Sequence, residues 1–158
     1  MITINGLQQK IFFSNILAFI FSVLIYNQSI AQELYLIAGQ SNAVGQGNYL
    51  KSPECLPGKA SEFDAANNRF IDLKDPVGRP WKLFQQAGSG SIAPSFANKL
   101  NELSGKKIMI VTAARGGASC SAKAEMADYD TWDSSGNLFN LAVEKTKFAE
   151  KASGKKLS

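Results

Sequence analysis

The sequence of 158 residues contains no histidine, and it has only two cysteines. A serine hydroxyl or a cysteine thiol needs a neighbouring base to become a good nucleophile, and histidine most often plays this part. A cysteine-based catalytic site is therefore not expected at Cys55 or Cys120. Any serine nucleophile in these residues would lack its usual proton acceptor.

Charged residues are also few, at 19% of the chain, and the formal net charge is +4. The lysines are scattered, with adjacent pairs only at Lys106-Lys107 and Lys155-Lys156. No basic stripe is interleaved with aromatic residues, so nucleic acid is not an expected partner. The hydrophobic fraction of 45% and the lack of low-complexity tracts are typical of one ordinary globular domain.

One long apolar run is present, and it lies near the N-terminus. Lys10 precedes an apolar stretch from Ile11 to Tyr26, and Ser29-Ile30-Ala31 has the small-x-small pattern of a cleavage site. This arrangement predicts a signal peptide over residues 1–31 and a mature domain over residues 32–158. The run is shorter than the roughly 20 residues that span a bilayer, so a retained anchor is the weaker alternative and no membrane partner is expected after cleavage.

The predicted signal peptide implies a secreted or periplasmic protein. A disulfide bond between Cys55 and Cys120 is permitted in such an oxidising compartment. Two free thiols are an equally good interpretation, because two cysteines alone do not establish a pairing.

A buried strand followed by a serine is the feature around which the mature chain is organised. Leu34 to Ala38 are apolar without alternation, which is typical of a parallel strand covered on both faces. Gly39 allows a tight turn, and Ser41 follows at the carboxyl end of the strand. A helix starting there would direct free N–H groups towards a developing oxyanion. The alternative is that Ser41 only caps that helix.

A second predicted strand, Ile108 to Val111, ends close to a pair of glycines. A helix precedes it, with Pro94 in the first turn and an apolar face formed by Phe96, Ala97, Leu100 and Leu103, and it ends at Ser104-Gly105. Strand, helix and strand in this order predict a parallel α/β sheet. Gly116 and Gly117 then fall at the same edge of the sheet as Ser41, although a simple turn is the alternative.

A loop, a strand, a helix and two aromatic residues are predicted without a specific role in catalysis. A long surface loop is expected from Val44 to Gly58, a short edge strand from Arg69 to Leu73, and an amphipathic helix from Leu138 to Ser153. Trp81 and Phe84 either pack in the core, which is favoured, or line a pocket.

The loop from Asp128 to Asp133 contains Tyr129 and Trp132. It either stacks on a sugar ring or, as slightly favoured by composition, forms a solvated turn. Its carboxylates are not expected to act as the missing base, because an exposed carboxylate with a pKa near 4 is poorly matched to a serine proton.

The segment Ile37-Ala38-Gly39-Gln40-Ser41-Asn42, with Gly45 and Gly47 close behind, resembles the first block of the SGNH hydrolases. The resemblance is to their sialate O-acetylesterase and carbohydrate esterase family 6 branch, which includes acetyl xylan esterases. It implies a three-layer, flavodoxin-like α/β fold in which a parallel sheet is flanked by helices. It also implies a carbohydrate O-acetylesterase activity that needs no metal and no organic cofactor.

The same resemblance assigns roles to particular residues. It implies that Ser41 is the nucleophile, and that the amides of Ser41 and Gly117, or less favourably Gly116, form the oxyanion hole. Gln40, Asn42 and Trp132 are the residues expected to contact an acetylated carbohydrate, the implied partner. Ala118 departs from the family pattern, which commonly has a hydroxyl residue there.

The family's catalytic Asp-x-x-His block is missing from these residues. The segment Ser104-Gly105-Lys106-Lys107 leads into a strand, and Ser153-Gly154-Lys155-Lys156 repeats it, so a strand is expected to begin there as well. We therefore expect the N-terminal portion of a domain that is incomplete at its C-terminus, and a chain with little or no esterase activity. The alternative expectation is a secreted carbohydrate-binding remnant that does not cleave its ligand.

Overall fold

The computed structural model describes residues 31–158. The predicted signal peptide therefore lies outside the described residues, apart from its last residue. Within the described part, no helix is both long enough and apolar enough to cross a bilayer. Cys55 and Cys120 are both free thiols, so the permitted disulfide is not formed.

A four-stranded mixed sheet forms the centre of the domain. Its strands are β1 (Gln32–Gly39), β2 (Ala60–Asp64), β3 (Arg69–Asp72) and β4 (Lys107–Ala114). The spatial order is β1-β4-β2-β3, with β4 parallel to both β1 and β2. The sheet is parallel as predicted except at β3, which lies at the edge and pairs antiparallel with β2 because only a short turn connects them.

Three α-helices complete the described part of the fold, namely α1 (Ser41–Val44), α2 (Ala93–Ser104) and α3 (Leu138–Ser153). Successive side chains of β4 point to opposite faces of the sheet, and their contacts show that α2 and α3 cover different faces. Ile108 and Ile110 pack in one cluster with Ala97 of α2, whereas Met109 and Val111 pack in another with α3. This arrangement confirms the predicted α/β class with helices flanking a sheet.

The predicted apolar face of α2 is only partly correct. Ala97 is fully buried, but Leu103 is 71% exposed and Phe96 is 37% exposed. Ala93 and Ala97 form the buried stripe, because small side chains allow the helix to lie close against β4. Phe96 instead meets the ring of Tyr35 edge-on, with centroids 5.5 Å apart.

The prediction that β1 is covered on both sides is wrong in one respect. Of its eight residues only Leu34 is buried, whereas seven of the eight residues of β4 are buried. The reason is that β1 lies at an edge of the described sheet, where it pairs with β4 on one side only. Among residues 31–158, its other side meets only a single parallel bridge, from Leu157 to Leu34.

The repeated Ser-Gly-Lys-Lys segment forms the same helix ending twice. Gly105 and Gly154 both adopt the left-handed conformation, with φ of 69° and 67°, and each donates its N–H to a carbonyl four residues earlier. After the first copy the chain enters β4. After the second, where a strand was expected to begin, the described residues form only an isolated parallel bridge between Leu157 and Leu34, and the Ser158 N–H donates to the Leu34 carbonyl at 2.9 Å.

The long loop over the edge of the sheet is held by the half-buried carboxylate of Asp75. Asp75 accepts hydrogen bonds from the Ser52 hydroxyl at 2.5 Å, and from the hydroxyl and N–H of Ser91 at 2.6 and 2.9 Å. The predicted loop from Val44 is thereby fastened to the segment that begins α2. Phe84 is 2% exposed and lies in the core as favoured, while Trp81 is half-buried beside it.

Candidate active site

Ser41 lies at the rim of the sheet. Gly39 ends β1 with φ of 145°, and a side chain there would bring its Cβ within 3.1 Å of the Ala43 Cβ. The Gln40 carbonyl accepts the N–H groups of Ala43 and Val44, which closes the single turn of α1. Ser41 is half-buried, and among the described residues neither its hydroxyl nor its N–H has a hydrogen-bond partner.

The register between β1 and β4 brings the two glycines to the same rim. Gly39 stands opposite Ala114, and the Arg115 N–H donates to the Gly39 carbonyl at 3.0 Å. Ser41 and Gly116 therefore each lie two residues beyond a directly paired position. Since the strands are parallel, both leave the sheet at its carboxyl edge.

The N–H groups of the two glycines are in different situations. The Gly116 N–H donates to the side-chain oxygen of Gln85 at 2.8 Å, so it is already engaged. Gly117 adopts φ of 79°, and its N–H donates to no group among residues 31–158. This difference makes Gly117 the better candidate for an oxyanion donor, in line with the order expected from the sequence.

Two residues that the sequence analysis did not assign shape this loop. Gln85 holds Gly116 through its side chain, and its own N–H donates to the Ala114 carbonyl at 3.0 Å. Tyr129 covers Gly117 so closely that a Cβ there would lie 2.5 Å from the ring. Gln85 stands in no recognisable motif, and Tyr129 was expected only as part of an aromatic loop, so the folded arrangement alone reveals their contacts with the two glycines.

Trp132 and Gln40 line a cavity of about 350 Å³, and Ser41, the next residue after Gln40, is not itself part of the lining. The remaining walls are small residues and one thiol: Ala38, Gly39, Ala118, Ser119 and Cys120. The Trp132 ring stacks on Phe84, with centroids 6.3 Å apart, so it packs in the core and also faces the cavity. Asn42 is exposed and is not part of this lining.

The carboxylates of Asp130 and Asp133 stabilise the loop from Asp128 to Asp133 through hydrogen bonds. Asp130 accepts from the N–H and the side-chain amide of Asn137, and these bonds hold its pKa below the ordinary range. Asp133 accepts from the Ser135 hydroxyl, the Ala122 N–H and the Thr131 hydroxyl, and its pKa is also lowered. Carboxylates held in this way are weak bases, which supports the expectation that they do not activate Ser41.

Arg115 provides the positive charge of this region. Its guanidinium lies 5.7 Å from the centroid of the Tyr129 ring, and one terminal nitrogen donates to the Leu83 carbonyl at 3.4 Å. Negative charge developing near the Gly117 loop would be favoured by this cation. Within the described residues no group of three His, Cys, Asp or Glu side chains is arranged to hold a metal ion.

A serine at a strand-to-helix turn and a glycine loop lie at the same carboxyl edge of the α/β sheet, an arrangement that α/β serine hydrolases also use. The family model described as carbohydrate esterase, sialic acid-specific acetylesterase, matches residues 31–157. The chain belongs to this family, and the resemblance seen in its sequence is confirmed.

Two solved structures have a similar fold. One is the X-ray structure of a protein from Arabidopsis thaliana, with 18% sequence identity and a TM-score of 0.53, covering 80% of this chain and 54% of that one. The other is the crystal structure of NanS, with 20% identity and a TM-score of 0.56, covering 77% of this chain and 49% of that one. The chain thus spans about half the length of each. No curated protein sequence matches it.

Proposed function

We propose that this chain carries the nucleophile and oxyanion hole of an exported carbohydrate O-acetylesterase. The observation that supports this most directly is the β1–β4 register, which sets Ser41 and Gly117 at one edge of the sheet. The family's activity gives the substrate class, an acetyl ester of a sugar. Gln40, Asn42 and Trp132 would contact that sugar, and no metal or organic cofactor takes part.

The reaction follows from the groups present. The Ser41 Oγ attacks the acetyl carbonyl carbon, and the oxygen of that carbonyl becomes an oxyanion held by the Ser41 and Gly117 N–H groups. The C–O bond to the sugar then breaks, which leaves acetyl-Ser41 and releases the sugar alcohol. Water hydrolyses the acetyl group to acetate and restores the serine.

A proton must leave Ser41 Oγ in the first step and reach the departing sugar oxygen. No histidine occurs among the 158 residues. The carboxylates of Asp130 and Asp133 are poor proton acceptors, because hydrogen bonds lower their pKa values. General-base help is worth about 10²–10⁴ in rate. We therefore expect the chain on its own to hydrolyse acetyl esters barely or not at all.

Imidazole added to the purified chain tests this proposal. We measure hydrolysis of an activated acetyl ester by the natural chain and by Ser41→Ala at increasing imidazole, because imidazole alone also cleaves such esters. The expected result is an imidazole-dependent rate that the natural chain shows and Ser41→Ala lacks. Equal rates at every imidazole concentration would contradict the assignment of Ser41, and efficient turnover without imidazole would contradict the missing-base argument.

A second candidate is a secreted module that binds acetylated glycans without cleaving them. The cavity walled by Trp132 beside an unactivated Ser41 favours it. Saturable glycan binding by a stable monomer, with no turnover even in imidazole, would support this candidate over the esterase.

A further inference from the structure

A polar cavity of about 480 Å³ lies against β3, at the edge of the sheet opposite to β1. Three cationic side chains line it, those of Arg69, Lys74 and Arg79, and all three are exposed. The four salt bridges formed by the described residues all involve other cations. Cations that share one cavity without a carboxylate partner are suited to binding an anion.

Two carboxylates also line this cavity, but neither forms a salt bridge with the three cations. Asp64 is 5% exposed, and its oxygens accept from the side-chain amide of Asn67 at 2.8 Å and from its N–H at 3.3 Å. Asp72 is exposed at the end of β3, and it also lines a separate cavity beside Cys55. The exposed charges around the cavity are therefore mainly positive.

The backbone holds two of the cations in place. Arg69 begins β3, which pairs in register with β2. Arg79 follows Gly78, whose N–H donates to the buried carboxylate of Glu62 at 2.7 Å. A Cβ at Gly78 would lie 3.0 Å from the Gln85 carbonyl oxygen, so this part of the chain is closely packed. A site whose backbone is already ordered loses less entropy when it binds a ligand.

The cavity continues towards the candidate active site. Pro80, the next residue after Arg79, lines a second cavity of about 410 Å³. This second cavity extends to Val44 and Gly45, at the end of the helical turn that Ser41 begins. The strands β1 and β3 are three strand spacings apart, or about 14 Å. A ligand that reaches from Ser41 to β3 is therefore longer than one sugar ring.

We propose that the cavity of Arg69, Lys74 and Arg79 binds an acidic group of a polysaccharide whose acetylated sugar lies at Ser41. The recognised group is an oxyanion such as a carboxylate or a sulfate, because guanidinium groups bind oxyanions through paired hydrogen bonds. The distance between the two places assigns this group to a different sugar unit from the acetylated one. The inference rests on the proposed function for the substrate at Ser41, but anion binding itself does not depend on that serine.

An acidic oligosaccharide tests this inference. Titration of the Ser41→Ala chain with a short oligomer of galacturonic acid, followed by NMR, should give saturable shifts at the Arg69 and Arg79 amides. The methyl-esterified oligomer keeps the sugar rings without the charges, and it should bind about tenfold more weakly. Binding of the acidic oligomer should also weaken as salt is added, because salt screens exposed charges. Inorganic phosphate alone should bind about tenfold more weakly than the oligomer, since it makes no contact outside the cavity.

Two variants that each remove one positive charge locate the site. Arg79→Gln should weaken binding of the acidic oligomer about tenfold. Lys151→Gln, on the exposed end of α3, should leave it unchanged, and the two variants should unfold at the same urea concentration. No saturable shifts, equal binding of the acidic and esterified oligomers, or equal losses from the two variants would overturn the inference. Phosphate binding as tight as the oligomer's would also overturn it, because the occupant would then be a free anion.

Cations on an edge strand can also serve to keep another strand from pairing with it. That role predicts self-association of Arg69→Gln and no anion binding by the natural chain, a result that would contradict the inference. Binding of the acidic oligomer without Ser41-dependent hydrolysis in imidazole would contradict the proposed function alone. Such hydrolysis without anion binding would contradict the present inference alone.

Discussion

Replacing Gly117 by alanine is the most informative single change near the candidate oxyanion hole. Gly117 has φ of 79°, a conformation that costs a residue with a side chain about 1–2 kcal/mol. The added Cβ would also lie 2.5 Å from Cδ2 and 2.8 Å from Cε2 of Tyr129, so the ring must move.

Moving the ring has a modest further cost. Tyr129 is 42% exposed and faces the Arg115 guanidinium, and an exposed cation–π contact of this kind is worth about 0.5–1 kcal/mol. Gly117→Ala should therefore lower the free energy of unfolding by about 1.5–3 kcal/mol. Gly58→Ala is a matched control, since Gly58 has φ of 73° and nothing within 4 Å of an added Cβ. Only the conformational cost of about 1–2 kcal/mol applies there.

Urea unfolding of the two variants measures the difference in their free energies of unfolding. An equal slope of the two transitions shows that the free energies can be compared directly. In a Tyr129→Ala background the excess cost of Gly117→Ala over Gly58→Ala should disappear, because the overlapping ring is gone. If Gly117→Ala costs no more than Gly58→Ala in the natural background, the close contact between Tyr129 and the glycine loop is refuted.

Two further changes test other parts of the structure. Burial lowers the pKa of Lys145 to about 8, from an ordinary value of 10.5. Between these two pH values the unfolded chain therefore binds more protons than the folded chain. The free energy of unfolding should then rise as the pH rises from about 8 to 10.5, by up to about 3 kcal/mol. Lys145→Met should lose this rise, and a natural chain without it would contradict the shift. Asp133→Ala removes the acceptor of the Ala122 N–H, so trypsin should cut after Lys123 several times faster than in the control Asp128→Ala. Equal cutting rates in both variants would show that Asp133 does not hold this loop.

Much of the fold could be predicted from local patterns. Leu34 to Ala38 and Ile108 to Val111 are dense apolar runs, and both form strands that extend by one to three residues beyond each end of the run. The helix endings at Gly105 and Gly154 follow from the need for a left-handed residue after the last turn. Such signals lie within a few residues of one another, so no tertiary information is needed to interpret them.

What could not be predicted depends on residues far apart in the chain. Gln85 reaches Gly116 across 31 positions, and nothing near either residue signals the contact. Leu103 satisfied the helical period of α2 but is exposed, because the approach of Ala97 to β4 decides which side of the helix is covered. The apolar run of β1 indicated a strand correctly, yet periodicity cannot tell a central strand from an edge strand.

The edge position of β1 connects the chemistry with the fold. The 158 residues contain no histidine, so none of them is the usual proton acceptor for the proposed nucleophile Ser41. The sheet shows separately that β1 has open hydrogen-bonding groups and an apolar groove beside it. Ala38 and Trp132 belong to both places, so among the described residues the open edge of β1 is continuous with the cavity next to the Ser41 turn.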